Sequence, residues 1–227
     1  MKNKSNQPSK ATTIVPIILG ILVIAAIIGV VLFFSMKTKE GPTRTAEEAA
    51  DDGQLVDYEK DGPITLGDYH AVNKLLTKDD LSEENSDDPL GLLWDEYLKT
   101  CKIKKYPKEL LDEALLDNQM QFQDFLEASG MSADELSASY NMDDDTIEEN
   151  AKDNVKGRLV AKTIALREGM TMTDEKLREY LIRILEEDDK NISLDAILKE
   201  YIDGTGVRPR DDAYVEMVKD YLMEQMK

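Results

Sequence analysis

The chain has 227 residues, 28 basic against 47 acidic, for a formal net charge of −19 with its single histidine neutral. So acidic a balance disfavours nucleic acid as a partner, because a polyanion would be repelled over most of the surface. One cysteine, Cys101, excludes an internal disulfide.

The first element is the run "IVPIILGILVIAAIIGVVLFF", residues 14–34, which is 21 residues long, holds no charge and contains sixteen Ile, Leu, Val or Phe. At 1.5 Å per residue it would span roughly 31 Å as a helix, close to the hydrocarbon thickness of a bilayer. Those sixteen side chains favour insertion by about 6 kcal/mol. A cleaved signal peptide is the competing reading, but the run is too long for one and "FFSMKTKEG" offers no small-x-small site. No cysteine lies near it, which argues against a lipid-modified anchor. The expected element is a transmembrane helix over 14–34, preceded by a short basic tail, 1–13. Lys2, Lys4 and Lys10 before the run balance Lys37, Lys39 and Arg44 after it. The acid-free leading tail favours a cytoplasmic N-terminus, with the larger C-terminal domain extracytoplasmic at the cell membrane.

Residues 35–88 are acidic and poor in large apolar side chains, the composition of a largely disordered linker. Within it, "GPITLGDYHAVNKLL" (62–76) has enough apolar content for a short strand or helix, and composition leaves open whether it docks on the main domain. His70 lies in this segment. From Pro89 the pattern becomes helical: Leu90, Leu93, Trp94, Tyr97 and Cys101 share one face. A Cys on that face is expected to be a structural core residue rather than a nucleophile. Pro107 opens a helix of about 23 residues whose stripe is Leu111, Leu115, Asn118, Phe122, Phe125 and Leu126, closed by Gly130 in a left-handed cap. Ser132 with Glu135 reads as a capping box. Asp143 to Asp145 begin a long helix reaching Glu168, with Ile147, Ala151, Val155, Leu159 and Leu166 as its buried stripe, broadened by Val160 and Ile164. Thr173 and Ser193 cap two shorter helices carrying Leu177, Tyr180, Leu181, Ile184 and Leu185, and Ile197, Leu198 and Tyr201. After the turn "DGTGVRP", a last helix carries Tyr214, Met217, Val218, Tyr221 and Leu222. No run alternates as a strand should. The expected fold class is all-α, six or seven helices over 89–227 with the two long ones paired.

The chemistry-bearing patterns are few. There is no glycine-rich phosphate loop, no histidine or cysteine pair and no nucleophile elbow. A calcium loop counted from Asn141 has Thr146 and Lys152 where Gly and an acid belong. Neither catalytic residues nor metal ligands nor a cofactor are assigned, and the expectation is a protein that is not an enzyme. Eight methionines lie beyond residue 100, and flexible thioethers suit both core filling and surfaces that accept varied apolar partners.

Two stretches, "YPKELLDEALLDNQMQFQDFLEASGMSADEL" and "AKDNVKGRLVAKTIALREGMTMTDEKLREYL", resemble the C-terminal substrate-binding domain of trigger factor, related to the SurA-type chaperone core. A long helix ending "xxIAxxEG" followed by "(I/M)xVTDEEL" is matched by Ile164, Ala165, Glu168, Gly169, Met172, Thr173, Asp174 and Leu177. "CKIKKYPKELLDE" and "AYVEMVKDYLMEQM" also fit, so the resemblance covers about residues 90 to 227. It implies an ATP-independent chaperone, a holdase binding unfolded or exported polypeptides between helical arms. Phe122, Phe125, Met131, Met142 and Met172 are the candidate client-binding residues. The ribosome-docking and prolyl isomerase domains of that family find no room between the apolar run and residue 90, so ribosome binding and isomerase activity are not expected. A helical scaffold for one specific membrane or envelope partner is the alternative function.

Overall fold

The computed structural model describes residues 52–60, 62–82, 86–132, 135, 139, 144–204 and 208–226. The apolar run 14–34 lies outside them, and among the described residues no helix is long and apolar enough to cross a membrane. Six α-helices are described: α1 (Pro89–Thr100), α2 (Lys108–Ser129), α3 (Asp144–Arg167), α4 (Asp174–Ile184), α5 (Leu194–Gly204) and α6 (Pro209–Gln225). The only described strands are β1 (Ile64–Thr65) and β2 (Lys102–Ile103), an antiparallel pair placing Ile64 opposite Ile103. The architecture is helical, as the periodicity requires.

The helix ends follow from local chemistry. Asp88 accepts the Gly91 N–H at 2.9 Å and Pro89 occupies the first turn, so α1 starts there. Gly130 closes α2 at φ 66°, a conformation that costs glycine little. Ser132 and Glu135 exchange the two bonds of a capping box, Ser132 N–H to Oε2 at 2.9 Å and Glu135 N–H to Oγ at 3.3 Å. Thr173 and Ser193 each accept an N–H three residues on, from Lys176 and Ala196.

Helix α3 is the axis of the fold, because α2 and α6 pack along it and α1 closes a further side. Encirclement rather than a single stripe is its burial pattern: Ala151, Val155, Leu159, Val160, Ala161, Thr163, Ile164 and Ala165 are all fully buried. The expected stripe is corrected at its end, since Leu166 is 43 % exposed. A helix surrounded on several sides buries small and polar residues that an amphipathic stripe would leave outside. A second cluster forms where α4 and α5 meet Ala213 of α6, around Leu177, Leu181, Ile197 and Tyr201.

Composition suggests a largely disordered linker over 35–88; residues 35–51 lie outside the described residues, whereas 52–60 and 62–82 are packed on the helices as a strap. Ile64 and Val72 are fully buried and Tyr69 nearly so, all within the main core beside Tyr97 and Cys101. A few apolar side chains suffice because the helices supply the other wall. Gly67 lets the strap approach α1: its N–H donates to Cys101 Sγ at 3.4 Å, the Tyr97 hydroxyl donates to its carbonyl at 3.3 Å, and a Cβ there would lie 1.8 Å from Thr100 Oγ1. Arg167 clasps the strap at Asp57 (2.9 Å) and Glu59 (2.7 Å). Burial works to raise the Asp57 carboxyl, but the Lys60 N–H and Arg167 together outweigh it and hold it below the usual range. Ile64→Ala is expected to lower stability by about 2–4 kcal/mol, whereas Leu116→Ala, at a position 51 % exposed, should change it by less than about 0.5 kcal/mol in urea unfolding.

Candidate functional site

The long helices α2 and α3 form a hairpin whose two halves differ. In the first half of α2, Leu110, Leu111, Ala114 and Leu115 join the main core. Beyond Leu115 no described residue of α2 belongs to either apolar cluster. Phe122 and Leu126 are half-buried there, and Phe125 is 8 % exposed. The opposing end of α3 supplies Ile147, also outside both clusters, and Asn118 Nδ2 donates to its carbonyl at 3.2 Å. From Asn118 to Ser129 this distal stretch is about 18 Å long at 1.5 Å per residue.

The four candidate residues that the structure describes do not share one surface. Phe122 and Phe125 share distal α2, and Met131, half-buried, follows its Gly130 cap. Met142 lies outside the described residues. Met172 sits beyond the opposite end of α3, about 30 Å from Ile147 along the helix. There it packs against both clusters, and its N–H donates to the Tyr214 hydroxyl at 3.1 Å, so it is a joint between them.

Around the start of α6 lies a constellation that periodicity did not reveal. Arg158 of α3 grips Asp212 through two bonds, 2.8 and 3.2 Å, and Tyr201 of α5 donates to the same carboxylate at 3.0 Å. Lys162, 1 % exposed, meets the equally buried Asp211 at 2.9 Å. Arg208 reaches Asp211 at 3.5 Å and Glu113 of α2 at 2.6 Å. The strap completes the set: the Gly53 N–H donates to Asp211 at 2.8 Å, while Asp52 accepts the N–H groups of Arg210 and Asp211 at 3.4 and 3.2 Å. Burial works against the charge on Arg158, but the Asp212 carboxylate more than offsets it and raises its pKa. Burial and Asp212 push the Tyr201 hydroxyl far up, so it remains a donor. Arg158 and Lys162 stand four apart on one face of α3, opposite the adjacent carboxylates Asp212 and Asp211.

His70 and Cys101 are held apart by their partners. Cys101 is buried, hydrogen-bonded to Gly67 and to the Tyr97 carbonyl. His70 is exposed, 3.8 Å from Glu168 and 3.5 Å from the Tyr221 hydroxyl. Tyr69 and Tyr221 both donate to Glu168, at 2.9 and 3.0 Å. Burial, then Glu168, pushes the Tyr69 hydroxyl up to about 12. Among the described residues, no three His, Cys, Asp or Glu gather as a metal site.

Removing one partner of a buried pair leaves the other uncompensated. Asp211→Ala is therefore expected to lower stability by about 3–5 kcal/mol, against less than about 0.5 kcal/mol for Lys108→Ala on the exposed face of α2, both read from urea midpoints.

Neither the curated proteins nor the solved structures contain a match to this chain. The family model of the bacterial trigger factor protein C-terminus matches residues 81–224, spanning α1 to α6 and well over half of the sequence. The helical unit carrying the hairpin and the buried ionic cluster thus belongs to the trigger factor C-terminal family.

Proposed function

We propose that the protein is a membrane-tethered, ATP-independent holdase that captures unfolded or exported polypeptides, acting without catalysis. Membership of the trigger factor C-terminal family supports a chaperone role. The observation that carries the reading furthest is distal α2. Phe122 and Leu126 are half-buried on a helix whose packing on the main core ends at Leu115, with the buried Phe125 between them. Apolar contact of this kind is non-directional and accepts varied sequences. The cluster at α6 would hold the base of the hairpin while its distal end adapts.

The full chain in lipid nanodiscs should suppress aggregation of an unfolded client at near-stoichiometric amounts. Phe122→Ser should weaken suppression several-fold with helical content unchanged by circular dichroism. No suppression by the unaltered chain, together with no binding of an apolar peptide, would sink the idea. Cross-linking in cells should give a broad set of clients. One dominant folded partner would instead favour a scaffold.

The apolar run 14–34 supports the tether, and the basic, acid-free tail before it supports a cytoplasmic N-terminus. Protease added to intact cells should then remove the epitope of a C-terminal tag. A protected tag would reverse the topology.

A further inference from the structure

Beyond residue 39 the chain carries 23 basic and 47 acidic residues. Five of those basic residues, Lys99, Lys102, Lys104, Lys105 and Lys108, fall within ten positions that hold no Asp or Glu, and all five are exposed. Lys99 pairs with Glu96 and Lys108 with Asp112. Lys102, Lys104 and Lys105 form no ion pair among the described residues. In a chain with so large an acidic excess, unpaired ammonium groups side by side are the exception.

The fold holds them in place. Ile103 packs on the main core, so strand alternation turns Lys102 and Lys104 away from it. The N–H groups of Lys104 and Lys105 both donate to the Pro63 carbonyl, at 2.7 and 3.5 Å, which pins this backbone to the strap. Glu109 and Asp112 follow on α2, and Lys108 already engages Asp112. At physiological ionic strength charges beyond about 8 Å are largely screened, so the acidic remainder of the domain does not cancel a local cluster.

We propose that Lys102, Lys104 and Lys105 dock the domain on the anionic lipid headgroups of the membrane that holds residues 14–34, a step that rests on the anchor reading above. The connecting chain permits it. Residues 35–51 number 17, so covalent geometry lets them span up to about 58 Å. The strap enters the fold at Asp52, on the first turn of α6, where Arg208 reaches Glu113 of α2, five residues from Lys108. The tether's exit and the lysines are thus joined by a short path of direct contacts. Tethering supplies a high effective concentration of lipid, so a patch of three lysines acts without high intrinsic affinity.

Acylation of lysine amines, read by mass spectrometry, tests this on the full chain in two kinds of nanodisc, one of phosphatidylcholine and one containing phosphatidylglycerol as well. Lys102, Lys104 and Lys105 should react at least about threefold more slowly in the anionic discs, with Lys176 and Lys190 unchanged and the difference lost in high salt. The variant K102E/K104E/K105E, with unchanged circular dichroism, should show no such lipid dependence at its neighbour Lys108. Equal rates in both discs overturn the docking while leaving the anchor intact. Protection by added RNA but not by anionic lipid also overturns it. A chain that does not enter the discs at all overturns the anchor, and the docking with it.

Discussion

Lys162 and Asp211, both almost wholly buried, meet at the point where α2, α3, α5, α6 and the strap are fastened together. A charge in such a place is costly unless it is paired and hydrogen-bonded, so the positions of its neighbours are tightly constrained. Asp211 also takes the N–H of Gly53 and the guanidinium of Arg208, and Arg208 continues to Glu113. Beside it Arg158 and Asp212 bring in Tyr201. Helices α2, α3, α5 and α6 and the strap therefore share one electrostatic junction. Apolar burial stabilises the assembly, but it is non-directional. The junction determines how the helices are registered.

That division of labour bears on how one helical unit can be both firm and adaptable. The base of the α2–α3 hairpin is held by Leu111, Leu115 and the Glu113–Arg208 pair. In its distal half Asn118 reaches the Ile147 carbonyl at the facing end of α3, and Phe125 is buried. In the proposed holdase, the half-buried Phe122 and Leu126 of that end would contact a client while the junction keeps the rest intact.

The strap changes what counts as the domain. The family match begins at residue 81, but among the described residues the packed unit reaches back to Asp52. Ile64, Tyr69 and Val72 complete a core wall against Tyr97 and Cys101, and Arg167 clasps Asp57 and Glu59. In the proposed tethered arrangement 17 residues, 35–51, separate the anchor from the strap. The domain is then presented to the membrane from one defined point rather than from the end of a long stalk.

Much of the architecture is legible in the residues themselves, because it depends on nearest neighbours along the chain. The caps at Thr173, Ser193 and Gly130, the Ser132–Glu135 box and the helical periodicity each involve groups within four residues of one another. The encirclement of α3, the exposure of Leu166 and the docking of 52–82 were not legible. Each depends on which surfaces meet across tens of residues of chain, from 29 between Asn118 and Ile147 to 159 between Asp52 and Asp211. Phe122 and Phe125 could be read as apolar from their spacing, but only the tertiary structure separates them from Met172, which lies at the far end of α3 as a joint between clusters. Likewise Arg158 and Lys162 look like ordinary surface charges until Asp211 and Asp212 are brought opposite them. The sequence by itself determined the helices and their ends, because backbone capping and side-chain periodicity are local. Which charges are buried, which apolar residues remain outside the core and where the chain is clasped were decided by the tertiary structure, because burial and pairing belong to surfaces that only folding brings together.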